Sequence, residues 1–160
     1  MINRDIPTVL AIEAEAFEFP WCEMEFIRTL RQRNCIGVVI EDLRAGEVRG
    51  FMIYEMHKNR LHVLSIAVDA AHRGRGYGRW MVQWLTRKLS HERRNRIMTE
   101  VRETNVDAQL FFRAMNFRAI SVLKDFYEDT HEDAYLFQYR HKPTEEELIN
   151  GSNRITRMAG

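Results

Sequence analysis

Between an apolar run and an amphipathic one lies Arg73-Gly74-Arg75-Gly76-Tyr77-Gly78-Arg79. Glycines let a backbone take positive φ and approach a ligand closely. If a helix starts here, its first amides have no internal partners and sit at the positive end of the helix dipole. Such a terminus holds a phosphate or pyrophosphate, with arginines at its rim. The same residues also describe a plain glycine-rich connection with solvated arginines. The spacing is neither Gly-x-Gly-x-x-Gly nor a turn closed by Lys-Ser/Thr, so neither standard nucleotide fingerprint is present. Two groups nearby carry proton chemistry. Glu100 interrupts the mainly apolar run from Ile97 to Val101, and His62 stands four residues before Ile66. Strict strand alternation puts His62 and Ile66 on one face. Either group is a candidate base, or else a solvent-facing glutamate and a structural histidine.

These residues need a scaffold, and the periodicity supplies one. Asp5 is placed to cap a helix with Pro7 in its first turn, carrying Val9, Leu10, Ile12, Ala16 and Phe17 at helical spacing. Phe19-Pro20-Trp21 breaks it, and 22–31 reads as a second helix. Residues 36–43 and 48–56 read as a hairpin about a turn at 44–47. A third strand, 61–68, is apolar enough to be central. Residues 76–91 predict a helix with Met81, Leu85 and Leu89 inward and Arg79, Arg87 and Lys88 outward. A strand at 97–101, a short helix at 107–115 and paired strands at 117–123 and 134–139 follow. Strand, helix, strand between 61 and 101 implies a parallel pair with a right-handed crossover. The fold class is α/β: a mixed, mostly antiparallel sheet with helices on both faces. Residues 1–142 read as a single domain and 143–160 as a mobile tail.

The chain has 160 residues, 45% hydrophobic and 29% charged, with a formal net charge of +1. One domain with a sizeable core fits that length. The charge gives no field favouring nucleic acid or membrane. The basic run 91–96 is expected to cap the end of the 76–91 helix rather than bind RNA. Cys22 and Cys35 show no disulfide or metal spacing, so a reducing compartment and no metal are expected. No signal peptide or membrane-length apolar run is visible, which makes the expected location cytoplasmic.

Several stretches together resemble the GCN5-related N-acetyltransferases (GNAT). Residues 73–78 match that family's Arg/Gln-x-x-Gly-x-Gly/Ala turn. Phe19-Pro20-Trp21-Cys22-Glu23, Ile66-Ala67-Val68-Asp69, Glu100-Val101-Arg102, Asn105, Asp125-Phe126-Tyr127 and Glu132-Asp133-Ala134 resemble its ribosomal-protein-alanine N-acetyltransferase branch. The likeness runs from residue 5 to about 140. The family usually opens with an edge strand. Here that strand is missing or reduced to a few residues, as if the native start lay upstream.

The resemblance implies a GNAT fold splayed at its parallel pair, and transfer of acetyl from acetyl-CoA to an amine. It places Ile66, Ala67 and Val68 on pantetheine and the thioester. It places Gly74 to Arg79 with Arg73 on the pyrophosphate, and Asn105 on the pantetheine end. Glu100 takes the family's base position, with His62 as a second candidate. The branch's general-acid tyrosine is replaced by Phe112, which edges the cofactor but donates no proton. Tyr127 could supply the hydroxyl, water could, or a thiol of reference pKa about 8.5 could leave unaided. The last two are favoured, with Tyr127 as a substrate-side residue.

The acceptor is expected between the loops at 17–25 and 125–133, on a floor of Phe19, Pro20 and Trp21. Both loops are acidic, which suits a cationic substrate. The implied acceptor is a protein N-terminal amine, possible partners including a ribosomal protein. A lysine side chain or polyamine-like amine is the alternative, and an acyl-CoA-binding module without turnover the rival from another class.

Overall fold

A computed structural model describes residues 1–91 and 93–143. The expected tail therefore lies, but for its first residue, outside the described residues. A 3-10 turn at Asn3–Asp5 leads into α1 (Ile6–Ala16), then α2 (Glu23–Leu30), β1 (Cys35–Asp42), β2 (Glu47–Met56) and β3 (Leu61–Val68). After a second 3-10 turn, Ala70–His72, come α3 (Tyr77–Thr86), β4 (Arg96–Arg102), α4 (Val106–Ala114), β5 (Arg118–Tyr127) and β6 (Glu132–Arg140). The order of helices and strands is the one the periodicity predicts. The sheet runs β1-β2-β3-β4-β6-β5 and is antiparallel except between β3 and β4. No described strand precedes α1; the Met1 amine instead donates to the Gly37 carbonyl on β1, at 3.2 Å.

Three local expectations fail. Asp5 sits at the N-cap of α1 but makes no side-chain cap; its buried carboxylate accepts from the Ile2 amide at 2.7 Å. Pro7 does stand in the first turn. α3 ends at Thr86, not near residue 91. The basic run therefore lies beyond the helix's last turn, where the dipole argument has no force. Arg94 instead donates through Nε to the His57 carbonyl at 2.8 Å and ties down the β2–β3 turn.

Apolar side chains gather on both faces of the sheet. Met52, Tyr54, Leu61 and Val63 pack against Met81, Val82 and Leu85 of α3 and Phe112 of α4. On the other face Phe51, Ile53 and Ala67 pack against Val9 and Ile12 of α1 and Phe26 of α2. Burial of each large side chain contributes about 1.5–3 kcal/mol, enough to clamp the sheet between the two helical layers.

Two irregularities open the middle of the sheet. β3 and β4 pair only at Leu61↔Ile97 and His62↔Met98, and part thereafter. Adjacent Ile53 and Tyr54 of β2 oppose Ser65 and Val63, so Leu64 is an extra residue in β3. A bulge of this kind increases local twist and changes which face a side chain meets. Leu61 and Val63 pack toward α3, while Ser65 reaches α1 and Ala67 packs on the α1 and α2 side. Ile66 and Val68 return to the α3 side. His62 and Ile66 therefore lie on opposite faces, against the expectation from unbroken alternation.

Candidate active site

Where β3 and β4 part, His62 and Glu100 meet. His62 is level with Met98, and Glu100, two residues on, shares that face of β4. His62 Nε2 lies 2.6 Å from Glu100 Oε2. Glu100 lines a cavity of about 520 Å³, whereas His62 is not among its lining residues. His62 therefore stands behind Glu100 and holds it. That is a different place from a base in contact with whatever fills the cavity.

The cavity walls are those the sequence suggests. Phe19, Pro20 and Trp21 enter from the α1–α2 loop, and Tyr127, Glu128 and Asp129 from the β5–β6 end. Trp21 is fixed edge-on against buried Phe26, ring centroids 5.4 Å apart. Tyr127 lies under the Arg102 guanidinium, 3.8 Å from its ring centroid. Burial pushes the Tyr127 hydroxyl up to about 12, with Arg102 pulling weakly the other way. It remains an O–H donor throughout the neutral range.

Two contributors escaped the sequence reading. Glu13 of α1 is 2% exposed and faces the cavity, accepting from the Trp21 amide and from Ser65 Oγ, both at 3.1 Å. Burial raises its carboxyl pKa, and those hydrogen bonds only partly offset the rise. Its signal was a carboxylate four residues after Val9, on the apolar stripe of an amphipathic helix. Arg102 entered only as part of a motif. It ion-pairs with Asp129 at 2.9 Å and also stacks near Phe19, 4.9 Å from its centroid.

The acidic mouth is weaker than expected. Of the eight carboxylates on the two loops, Glu25, Glu128 and Asp129 line the cavity. Asp129 is neutralised by Arg102, which holds its carboxyl below the usual range, and Glu25 accepts from the Cys22 amide. Asp133 pairs with Lys124 away from the cavity.

A second cavity, about 440 Å³, lies under the glycine turn. Gly76 is the N-cap of α3 at φ 91°, a left-handed conformation that disfavours any side chain. Gly78 abuts the Phe111 ring, which a Cβ would meet at 3.3 Å. Arg73, Gly74, Tyr77 and Arg79 complete the turn's wall, and the β3 segment Ile66, Ala67 and Val68 forms the other. Arg75 does not line it. Five residues border both cavities: Phe17, Ile66, Asn105, Ala108 and Phe112. The two spaces thus meet at the splay. Asn105 uses its oxygen to cap α4, accepting from the Ala108 amide at 3.0 Å. Phe112 is only 3% exposed and packs on Phe117, so the expected site residue is chiefly core, edging both spaces without a proton to give.

A charged cradle, an opened parallel pair and a carboxylate in the adjoining cavity form one continuous site. The acetyltransferase (GNAT) family model matches residues 6–117, and the chain belongs to that family. It is an acetyltransferase by descent and fold, and within the family it is similar to the ribosomal-protein-alanine branch. An uncharacterized N-acetyltransferase of Methanocaldococcus jannaschii is 32% identical over 84% of this chain and 85% of its own length. The ribosomal protein bS18-alanine N-acetyltransferase of Escherichia coli is 25% identical over 84% of this chain and 90% of its own. The crystal structure of the ribosomal-protein-S18-alanine N-acetyltransferase from Escherichia coli superposes with a TM-score of 0.77 at 23% identity, covering 91% of this chain and 94% of that one. Naa20 of Chaetomium thermophilum, solved with a bisubstrate analogue, gives 0.76 at 18% identity over 88% and 84%. No described helix is long and apolar enough to cross a membrane.

Proposed function

We propose that this chain transfers acetyl from acetyl-CoA to the N-terminal α-amino group of a protein or peptide. The observation that carries the reading is the meeting of the two cavities at Ile66, with the glycine cradle on one side and Glu100 on the other. The α3 N-terminus and Arg73 and Arg79 hold the pyrophosphate. Backbone groups of Ile66 to Val68, left without a β4 partner by the splay, pair with the pantetheine arm and present an amide to the thioester oxygen. The amine enters over Phe19, Pro20 and Trp21. Glu100 takes its proton, and His62 orients the carboxylate that does so. The nitrogen attacks the carbonyl carbon, the C–S bond breaks, and coenzyme A leaves as the thiolate or takes a proton from water. Tyr127, protonated at working pH, donates a hydrogen bond on the substrate side.

The α-amine is favoured over a lysine or polyamine by the relatives named above. One of them, the Escherichia coli enzyme, is named for acting on a ribosomal-protein alanine. A ribosomal protein is the partner this likeness suggests. Thiol release from acetyl-CoA, screened over peptides differing at the first residue, tests the reading. Peptide-stimulated release is expected. Release with polyamine alone would move the acceptor to a small amine. Tight acetyl-CoA binding without release would make the chain a binding module.

A further inference from the structure

At the end of the sheet away from the glycine cradle, the β2–β3 hairpin brings Glu55 and His57, which have no part in the transfer scheme, up to His62. Glu55 and His57 are two residues apart, so they project to the same side as β2 runs out. His62 is the direct cross-strand partner of Glu55. Side chains in that register sit close enough to share one ligand. Glu55 Oε2 is 2.9 Å from His57 Nε2 and 3.9 Å from His62 Nδ1. One donor atom from each residue falls within 4.8 Å of the other two.

We propose that Glu55, His57 and His62 form a binding site for a divalent transition-metal ion of the zinc class. Two imidazoles and one carboxylate are a donor set that suits such an ion, with a fourth position left to water. A tetrahedral ion about 2.0–2.1 Å from each donor spaces them about 3.3 Å apart, and the two distances given above bracket that value. Small side-chain rotations close the shell. The backbone beneath is rigid: the His57 amide donates to the Arg60 carbonyl at 3.0 Å, and Arg94 clamps the His57 carbonyl. Glu55 and Glu100 bring two carboxylates to the ion, against the cations Lys58 and Arg60 of the turn and Arg94 beside it. Cys35, the other cross-strand neighbour of Glu55, is buried and does not join the cluster of donor atoms.

The orientation of His62 adds a second part to the site. Its Nδ1 faces Glu55 while Nε2 rests 2.6 Å from Glu100. With the ion on Nδ1, the ring proton stands on Nε2 and is donated to Glu100. This is the carboxylate–histidine–metal arrangement that fixes tautomer and ring orientation. Glu100 is a positioning residue for the ion, which ties the hairpin to the transfer site. The cysteine spacing that argues against a metal says nothing of these two histidines.

Zinc titrated into the full chain against a chromophoric chelator tests this, with cobalt absorption reading the geometry and thermal melts reading stabilisation. The expected result is one ion per chain, tetrahedral cobalt bands and a melting temperature raised by zinc. His57→Ala and Glu55→Gln each weaken binding by more than about tenfold, and Glu100→Ala by about tenfold through the outer hydrogen bond. His57 is partly exposed at a turn, and circular dichroism of His57→Ala and His57→Asn confirms folding. Equal zinc affinity in the parent and His57→Ala, or binding abolished by Cys22→Ser, would overturn the site. Unchanged affinity in Glu100→Ala would overturn the link to Glu100. Because these readouts are of ion binding, they are independent of which amine the enzyme accepts.

Discussion

Glu100 and His62 act as a pair in which the carboxylate meets the cavity and the imidazole holds it from behind. Glu100→Gln should lower kcat/KM by about 10²–10⁴-fold. The deficit should be greatest at low pH, where unprotonated amine is scarce, and a pH–rate profile reads it. Equal activity at all pH values would remove Glu100 as base. His62→Ala leaves the carboxylate in the cavity and should cost less. Glu13 makes a stability prediction. Its pKa is raised above 4.5 chiefly by burial, so the native state holds that proton more tightly than the unfolded chain does. The resulting stabilisation is full below 4.5 and is lost as pH rises through the raised value. Glu13→Gln keeps an acceptor for the Trp21 amide, can donate to Ser65 Oγ where the carboxylate accepted from it, and carries no charge. Its melting temperature relative to the parent should therefore rise with pH across that window. A difference that stays constant with pH would mean the carboxyl is not desolvated.

Among the elements, the β3–α3 connection and the β3–β4 pair carry the site. The glycine turn was legible because its demand is local: a backbone at positive φ needs glycine, and the sequence shows glycine. Gly76→Ala meets no atom within 4 Å but must hold φ 91°. It should cost about 1–2 kcal/mol of local strain, raise the KM for acetyl-CoA about tenfold and leave the peptide KM unchanged. Equal changes in both KM values would place the turn outside the cofactor subsite. The splay was expected from family likeness, and the periodicity did not show it. The Leu64 bulge was not legible at all. An extra residue leaves the apolar pattern looking continuous, and only the partner strand reveals the slip. That slip reverses the face argument for Ile66, while the β3–β4 register sets His62 beside Glu100. The end of α3 was misplaced for a similar reason: Leu89 is buried in phase with the helix but lies beyond it.

For the molecule as a whole, two apolar layers clamp a sheet whose central strands part, and the gap joins two spaces of different character. One is ringed by glycine and arginine, the other by aromatics with a carboxylate at its end. Long-range pairing decided what single residues could not. The acidic loops read as an open anionic mouth, yet Arg102 pairs with Asp129 and Glu132 from a distant position, and Lys124 pairs with Asp133 from the loop's own edge. On the proposed function, an α-amine reaches a thioester where these spaces join at the splay. The most direct test incubates the protein and acetyl-CoA with a peptide that bears a free N-terminal alanine and an internal lysine. Tandem mass spectrometry then locates the acetyl group. Acetylation is expected at the α-amine, with the lysine untouched and transfer nearly abolished by Glu100→Gln. Acetyl on the lysine alone, or an unmodified peptide while acetyl-CoA stays bound, would contradict the proposed function.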